Sequence, residues 1–438
     1  MLSRLDLRGF DGNLVAALAR HDSGDESTND ADVVASVRQV LDAVRLDGDR
    51  ALVELTERFD GCRIDGVRVP DTELRGALDR IPADLRAALE YAHGEIVAYH
   101  ELQIAPEVGF ERDGVSVREM VVPVDRAGCY APGGRADYPS SVLMTVVPAR
   151  VAGVPEVALC VPPGPDGAVP PATLAAAALV GVDEVYRVGG AQAIAAMAYG
   201  TESIRSVDVI VGPGNAYVAA AKREVAGIVG IESLAGPSEV VIVADGSVAA
   251  RLVAVDLLAQ AEHGPGGTAI LVTTSPDVAD AVEVEIAALL EDSARRGEIE
   301  STLADGGRSV LVDDDEQAMA VVNALAPEHL QLMTERPEAL VPEVRNAGAV
   351  FVGAWAPVAV GDYVAGANHV LPTRRTARFA SALRVDDFRK HIHVVSLDAA
   401  GLERVSPAVQ TLATAEGLVE HARSVALRAD PHPSSETA

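Results

Sequence analysis

From residue 125 to 275, short β-branched runs alternate with Ala/Leu-rich stretches long enough to be helices. No other feature of the chain constrains its fold as much. The runs are EVALCV (156–161), EVYRV (184–188), VDVIV (207–211), EVVIV (239–243) and TAILVT (268–273). Helical stretches at 171–180, 191–199, 215–226 and 249–261 lie between them. Continuous apolar runs of this length suit strands buried on both faces, joined in parallel through helices. The alternation continues with SVLVDD (309–314), a helix at 315–325 and AVFVG (349–353). The expected class is α/β.

The ends of the chain read differently. The first hundred residues are helical in pattern. Asn29 and Asp30 are expected to cap a helix with apolar positions Val33, Val34, Val37, Val40, Leu41 and Val44. Ala83–His100 is a second helix opened by Pro82, and Val115–Val124 alternates as a strand. After residue 385 comes one extended run, HIHVV (391–395), then helical sequence to Arg428. The last eight residues, PHPSSETA, are expected to be disordered.

Composition excludes several function classes. Of 438 residues 49% are hydrophobic and only 3% aromatic, so the core is aliphatic and little is left for base stacking. Lys and Arg number 36 against 65 Asp and Glu, a net charge of −29. Such a surface repels phosphate backbones and anionic membranes, so neither nucleic acid nor membrane is an expected partner. No apolar stretch approaches a transmembrane span, and Asp6 and Asp11 interrupt the N-terminus where a signal peptide needs an apolar run. A cytoplasmic protein is expected. Three scattered cysteines, Cys62, Cys129 and Cys160, give neither a disulfide framework nor a thiolate metal site. Only Lys222 and Lys390 are available for Schiff-base chemistry.

No G-x-G-x-x-G follows a strand. Two substitutes do: Gly189-Gly190-Ala191-Gln192 and Gly212-Pro213-Gly214-Asn215. Each puts small residues where a strand turns into a helix, so a phosphate can approach the backbone; an ordinary tight turn has the same sequence. Tyr130-Ala131-Pro132-Gly133-Gly134 is a third glycine-rich segment, equally readable as binding loop or surface turn. Gln260 and His263 share a face at the end of an apolar helix, where local sequence leaves a metal site and a capped helix end both open. Glu328-His329 after Pro327 reads as the first turn of a helix, whose dipole would keep the carboxylate charged and the imidazole neutral. That combination suits general-base work, and an exposed pair at a helix start fits as well. Asp362 is expected in a Gly-flanked loop after AVFVG, near Asn368-His369. On one unbroken helix Glu416 and His421 diverge by about 140°, and Gly417 could break it. Cys129 is the cysteine to test as a nucleophile, although buried, inert thiols are commoner.

Taken together these strings resemble the histidinol dehydrogenase family over nearly the whole chain. They are YAPGGRADYPSSVLM (130–144), VGGAQAIAAMAYGTESI (188–204), VDVIVGPGNAYVAAAKR (207–223), AGPSEVVIVAD (235–245), DLLAQAEHGP (256–265), APEHLQ (326–331), GDYVAGANHVLPT (361–373) and LATAEGLVEHARSV (412–425). The resemblance implies oxidation of L-histidinol to L-histidine through the aldehyde, with two NAD reduced in succession. It implies Glu328 and His329 as catalytic bases, and Gln260, His263, Asp362 and His421 as ligands of one zinc ion per subunit. Ser238 and Glu416 match substrate contacts, as do the metal ligands and His329. Tyr130, Gln192 and Asn215 match NAD contacts. A homodimer is implied, with Glu416 and His421 lent to the partner's site. The implied architecture is two incomplete Rossmann-like, aldehyde-dehydrogenase-like domains, one inserted in the other. Residues 26–129 and 238–383 would form the first, 130–237 the inserted NAD-binding domain, 1–25 an N-terminal arm and 384–438 a dimerisation tail. Departures from the family pattern occur at Cys129, Ala131, Ala216, Gly264 and Gly266-Gly267, and none removes an implied ligand.

The sequence also admits three rival readings. A related zinc and NAD enzyme could oxidise another small primary alcohol, such as a sulfonated diol. An aldehyde dehydrogenase would use a cysteine thiohemiacetal, here on Cys129. A non-catalytic zinc- or nucleotide-binding protein would need no Glu328-His329 pair.

Overall fold

The computed structural model describes residues 2–19, 26–134, 136–182, 184–234, 236–264 and 266–429. PHPSSETA lies outside them. Strands in chain order are β1 (Ser3–Asp6), β2 (Gly109–Arg112), β3 (Val115–Pro123), β4 (Arg126–Tyr130), β5 (Glu156–Cys160), β6 (Glu184–Tyr186), β7 (Val209–Val211), β8 (Gly230–Ile231), β9 (Glu239–Ala244), β10 (Thr268–Thr273), β11 (Gly307–Leu311), β12 (His329–Met333), β13 (Ala349–Val352) and β14 (Arg389–Leu397). The chain divides into two units, Met1–Gln103 with Val124–Phe388, and Ile104–Pro123 with Arg389–Ala438.

The larger unit holds two parallel sheets. One runs β6-β5-β4-β7-β8 and the other β1-β11-β10-β9-β12-β13. With β1 set aside, both follow the doubly wound order 3-2-1-4-5, each with a switch point where the winding reverses. The switch lies between β4 and β7 in one sheet and between β9 and β12 in the other. The six-stranded sheet is interrupted in sequence: the chain leaves it after β1, builds the five-stranded sheet, and returns at β9. The α/β expectation is borne out, with both sheets parallel.

Strand parity divides the core into layers. Along β9, Val240, Ile242 and Ala244 face a cluster with Val253, Leu257 and Ala261 of the Ala250–Ala261 helix. Val241 and Val243 face the opposite cluster, with Met319 and Val322 of the Asp315–Leu325 helix. Covering both faces is why the strand reads as an unbroken apolar run. Each buried aliphatic side chain contributes roughly 1.5–3 kcal/mol relative to exposure. In the other sheet, Val157 and Leu159 pack with the Pro139–Val151 helix, and Ala158 and Cys160 with the Gly190–Tyr199 helix. Helices from residues 26 to 101 complete these layers: Val37, Leu41 and Val44 on one face, Leu89, Ala92 and Ile96 on the other.

The first long helix spans Glu26–Asp47, so positions 29 and 30 fall inside it rather than at its start. The helix after Pro82 is present as Ala83–Glu101. The smaller unit is an antiparallel sheet, β14-β3-β2, with helices Ala399–Ala415 and Val419–Ala429. Gly417 at φ 75° separates those two helices. No helix among the described residues is long and apolar enough to cross a membrane.

Candidate active site

Glu328 and His329 are not in a helix. The Asp315–Leu325 helix ends at Ala326 in the left-handed conformation, and His329 begins β12. The expectation of a helix start fails because Pro327 here follows a helix end and opens a strand. No helix dipole acts on the pair, and burial sets its charge states instead.

Glu328 is 7% exposed. Desolvation pushes its carboxyl from an ordinary 4.5 up to about 7, against the pull of its hydrogen-bond donors. Those donors are the Ser238 hydroxyl, 2.6 Å from Oε2, and the Glu239 N–H, 2.8 Å from the same oxygen. His329 is 4% exposed, and burial pushes its imidazole below the usual value. Its Nδ1 lies 3.0 Å from the Glu239 carbonyl oxygen. A carbonyl only accepts, so Nδ1 carries the hydrogen and Nε2 presents its lone pair. That Nε2 is buried with no hydrogen-bond partner, 3.8 Å from Asp362 Oδ1. The Phe351 ring lies 6.0 Å from the imidazole, tilted 43°. One residue of β9, Glu239, thus orients both side chains through its backbone.

Parity brings in the next group. His329, Gln331 and Met333 share the face of β12 that packs on the Ala250–Ala261 helix. Gln331 Nε2 donates to Asp256 Oδ2 of that helix at 2.7 Å. One turn later on the same helix comes Gln260, buried, with Nε2 lacking a partner. His263, just past the helix end, has Nδ1 3.2 Å from the Gln260 carbonyl, which makes its Nε2 the acceptor nitrogen. A helix following a parallel strand runs back toward the strands' amino ends, so its C-terminus meets the starts of β9 and β12.

Asp362 lies in a short helix, Val358–Tyr363, rather than the expected loop. Its carbonyl accepts from His369 Nδ1 at 3.0 Å, and His369 Nε2 lies 3.4 Å from the Ser141 hydroxyl. Sequence reasoning gave no role to His369, Glu239 or Phe351. The adjacency of Asn368-His369 to Asp362 was the only available hint, since backbone contacts and ring packing leave no local signature.

Among the described residues, no group of three His, Cys, Asp or Glu side chains could hold a metal ion. Of the ligands the resemblance implies, His263 and Asp362 are of those types, and Gln260 adds a buried amide. Ser238 precedes β9 and bonds Glu328 as described. Glu416 and His421 belong to the smaller unit, where both are exposed, Glu416 at the end of Ala399–Ala415 and His421 in Val419–Ala429.

Tyr130, Gln192 and Asn215 all sit at carboxyl ends of strands in the five-stranded sheet. Tyr130 closes β4, is 3% exposed, and accepts the Gly190 N–H at its phenol oxygen, 3.0 Å. Gln192 is buried in the first turn of the Gly190–Tyr199 helix. Asn215 caps the Ala216–Val225 helix by accepting from Tyr217 and Val218 N–H at 3.0 and 3.1 Å. Tyr130 and Asn215 flank the β4/β7 switch point, where doubly wound sheets bind nucleotides. Cys129 is fully buried and its thiol is pushed up to about 12, so it stays protonated and unreactive. Such a thiol gives no support to the cysteine route.

A family model for histidinol dehydrogenase matches residues 24–429. The chain belongs to the histidinol dehydrogenase family. It is 52% identical over 409 residues to a histidinol dehydrogenase of Synechococcus sp., covering 92% of this chain and 94% of the relative. It is 48% identical over 432 residues to that of Gluconobacter oxydans, covering 98% and 99%. The crystal structure of histidinol dehydrogenase from Elizabethkingia anophelis superimposes with a TM-score of 0.87 at 35% identity, covering 91% of this chain and 92% of that one. Family membership makes the chain a dehydrogenase and supports neither the sulfonated-diol nor the non-catalytic reading.

Proposed function

We propose that this protein oxidises L-histidinol to L-histidine through L-histidinal, consuming two NAD, with Glu328 and His329 handling protons. The observation that carries the proposal is the buried pair itself. A carboxyl held near 7 lies beside an imidazole whose Nε2 has no partner.

His329 is the base for the alcohol. Its Nε2 lone pair takes the hydroxyl proton, and Glu239 holds the ring in the tautomer that allows this. Because burial disfavours the imidazolium, His329 releases that proton readily. Glu328 deprotonates the water that adds to the aldehyde. A carboxylate of ordinary acidity is a weak base at neutral pH; desolvation raises Glu328 to the strength the step needs. Ser238 and Glu239 fix the Oε2 side of that carboxylate.

The donor set fits zinc. A glutamine amide exchanges its oxygen and nitrogen by a half-turn, so the partnerless buried terminus of Gln260 can present its oxygen. The His263 tautomer and the Asp362 carboxylate supply harder nitrogen and oxygen donors. Gln260, His263 and Asp362 would hold the ion with His421 of the partner subunit, in a homodimer in which Glu416 of the partner subunit contacts substrate. The switch-point turns fit a dinucleotide, contacted by Tyr130, Gln192 and Asn215. When bound, NAD supplies the electron acceptor, and zinc supplies a template for the substrate amine and imidazole.

Titration of limiting histidinol tests the reading. Two NADH and one histidine per histidinol are expected. One NADH with accumulated aldehyde, or none with zinc present, would contradict it.

A further inference from the structure

Behind the β7 turn lies a buried ion pair that the reaction does not use. Lys222 Nζ and Glu232 Oε2 are 2.6 Å apart, with side chains 1% and 2% exposed. Lys222 sits in the Ala216–Val225 helix and Glu232 follows β8. Only Lys222 and Lys390 among the 36 basic residues are lysines. An ammonium is compact and carries three donors, where a guanidinium fork needs more room. Desolvation largely offsets the attraction within a buried pair, so its net contribution to stability is small. What such a pair fixes is geometry.

Here the geometry is that of Gly212. Glu232 Oε1 accepts the Gly212 N–H at 2.8 Å, and Lys222 Nζ donates to the Gly212 carbonyl at 3.2 Å. Both polar groups of one peptide residue are therefore gripped by the pair. Gly212 is at φ 127°, and a Cβ there would lie 2.1 Å from the Tyr130 carbonyl oxygen. The chain is thus clamped where β7 passes the end of β4. Three residues on, Asn215 fixes the other end of the turn by capping the next helix. Tyr130 continues the linkage through its phenol to Gly190. The clamp itself holds Gly212, and the turn it shapes passes directly over the end of β4.

We infer that Lys222 and Glu232 are a positioning pair for dinucleotide binding, holding Gly212 so that the turn carrying Asn215 keeps its receptive shape. The inference rests on the reading of this turn as part of the NAD site. Both side chains are buried behind the turn and act through its backbone, not on reacting atoms.

The test uses the zinc-loaded enzyme with Lys222→Met, Glu232→Gln and the charge-free double variant Lys222→Met/Glu232→Leu. NAD affinity is read by calorimetry, with Tm, zinc content and steady-state constants alongside. Losing hydrogen bonds to a charged group predicts Kd and KM for NAD raised roughly tenfold. The expected kcat at saturating NAD, KM for histidinol and zinc content equal the parent's. A folded double variant that binds NAD like the parent overturns the inference. So does a double variant that fails to fold, or one that loses kcat and both KM values together, because the pair is then scaffold. Asn215→Ala separates the two readings. If it weakens NAD while the pair variants do not, only the positioning role falls. If none of the variants changes NAD affinity, the turn is not part of the NAD site.

Discussion

Replacing Ser238 by Ala should move the acid limb of the pH profile upward. In the parent, desolvation holds Glu328 at about 7, and the Ser238 hydroxyl at 2.6 Å is one of two donors pulling it down. A short O–H···O⁻ bond in a buried site is worth about 1.5–3 kcal/mol to the charged form. At about 1.4 kcal/mol per tenfold change in acidity, losing it raises the carboxyl by about one to two pH units. The sign follows from which form works. Glu328 acts as the carboxylate, so activity is present above its pKa and lost as pH falls through it. A higher pKa carries that loss to higher pH. The assay is kcat against pH for oxidation of histidinal, at saturating aldehyde and NAD, so that any contact of Ser238 with substrate enters KM instead. The limb should rise from near neutrality, and kcat above it should return toward the parent value. An unmoved limb, or one displaced to lower pH, would refute the reasoning that the Ser238 bond stabilises an ionised catalytic Glu328.

Other outcomes follow from the same geometry. His329→Asn should abolish turnover of histidinol with zinc content unchanged by metal analysis; loss of zinc would make His329 a ligand instead. In Gly361→Ala the new Cβ would lie 2.5 and 2.6 Å from Phe351 ring atoms, forcing the ring that packs on His329 to shift. Overpacking of this kind costs roughly 1–3 kcal/mol, so Tm should drop and kcat fall; a variant equal to the parent in both would show slack around Phe351. If the proposed homodimer shares its sites, mixing His421→Ala and Glu328→Ala subunits should restore part of the histidine formation that each variant lacks, because one of the two sites is then intact; no recovery would exclude sites shared between subunits.

The legible part of this protein was its layering. Strands buried on both faces announce themselves as apolar runs, and β5, β9, β10 and β13 lie where the runs predict. β4, with sequence RAGCY, lacks that signal, because small residues pack there against Met197 and Val207. The Pro139–Val151 helix was hidden by its prolines, one at its start and one inside. At the candidate site, motifs singled out the residues now proposed, but their physics was not legible. Pro327 opens helices and strands alike, and only the coordinates place His329 at a strand start beside the Glu239 backbone. The strength of Glu328 as a base likewise comes from burial among residues distant in sequence, which no local pattern encodes.

Dividing the work between the two bases gives the account its most direct measurement. Glu328→Gln enzyme, mixed with less than one equivalent of histidinol and excess NAD in a single turnover, should release one NADH at close to the parental rate and stall at the aldehyde. Two NADH at the parental rate, or none, would contradict the assignment of water activation to Glu328 and alcohol deprotonation to His329.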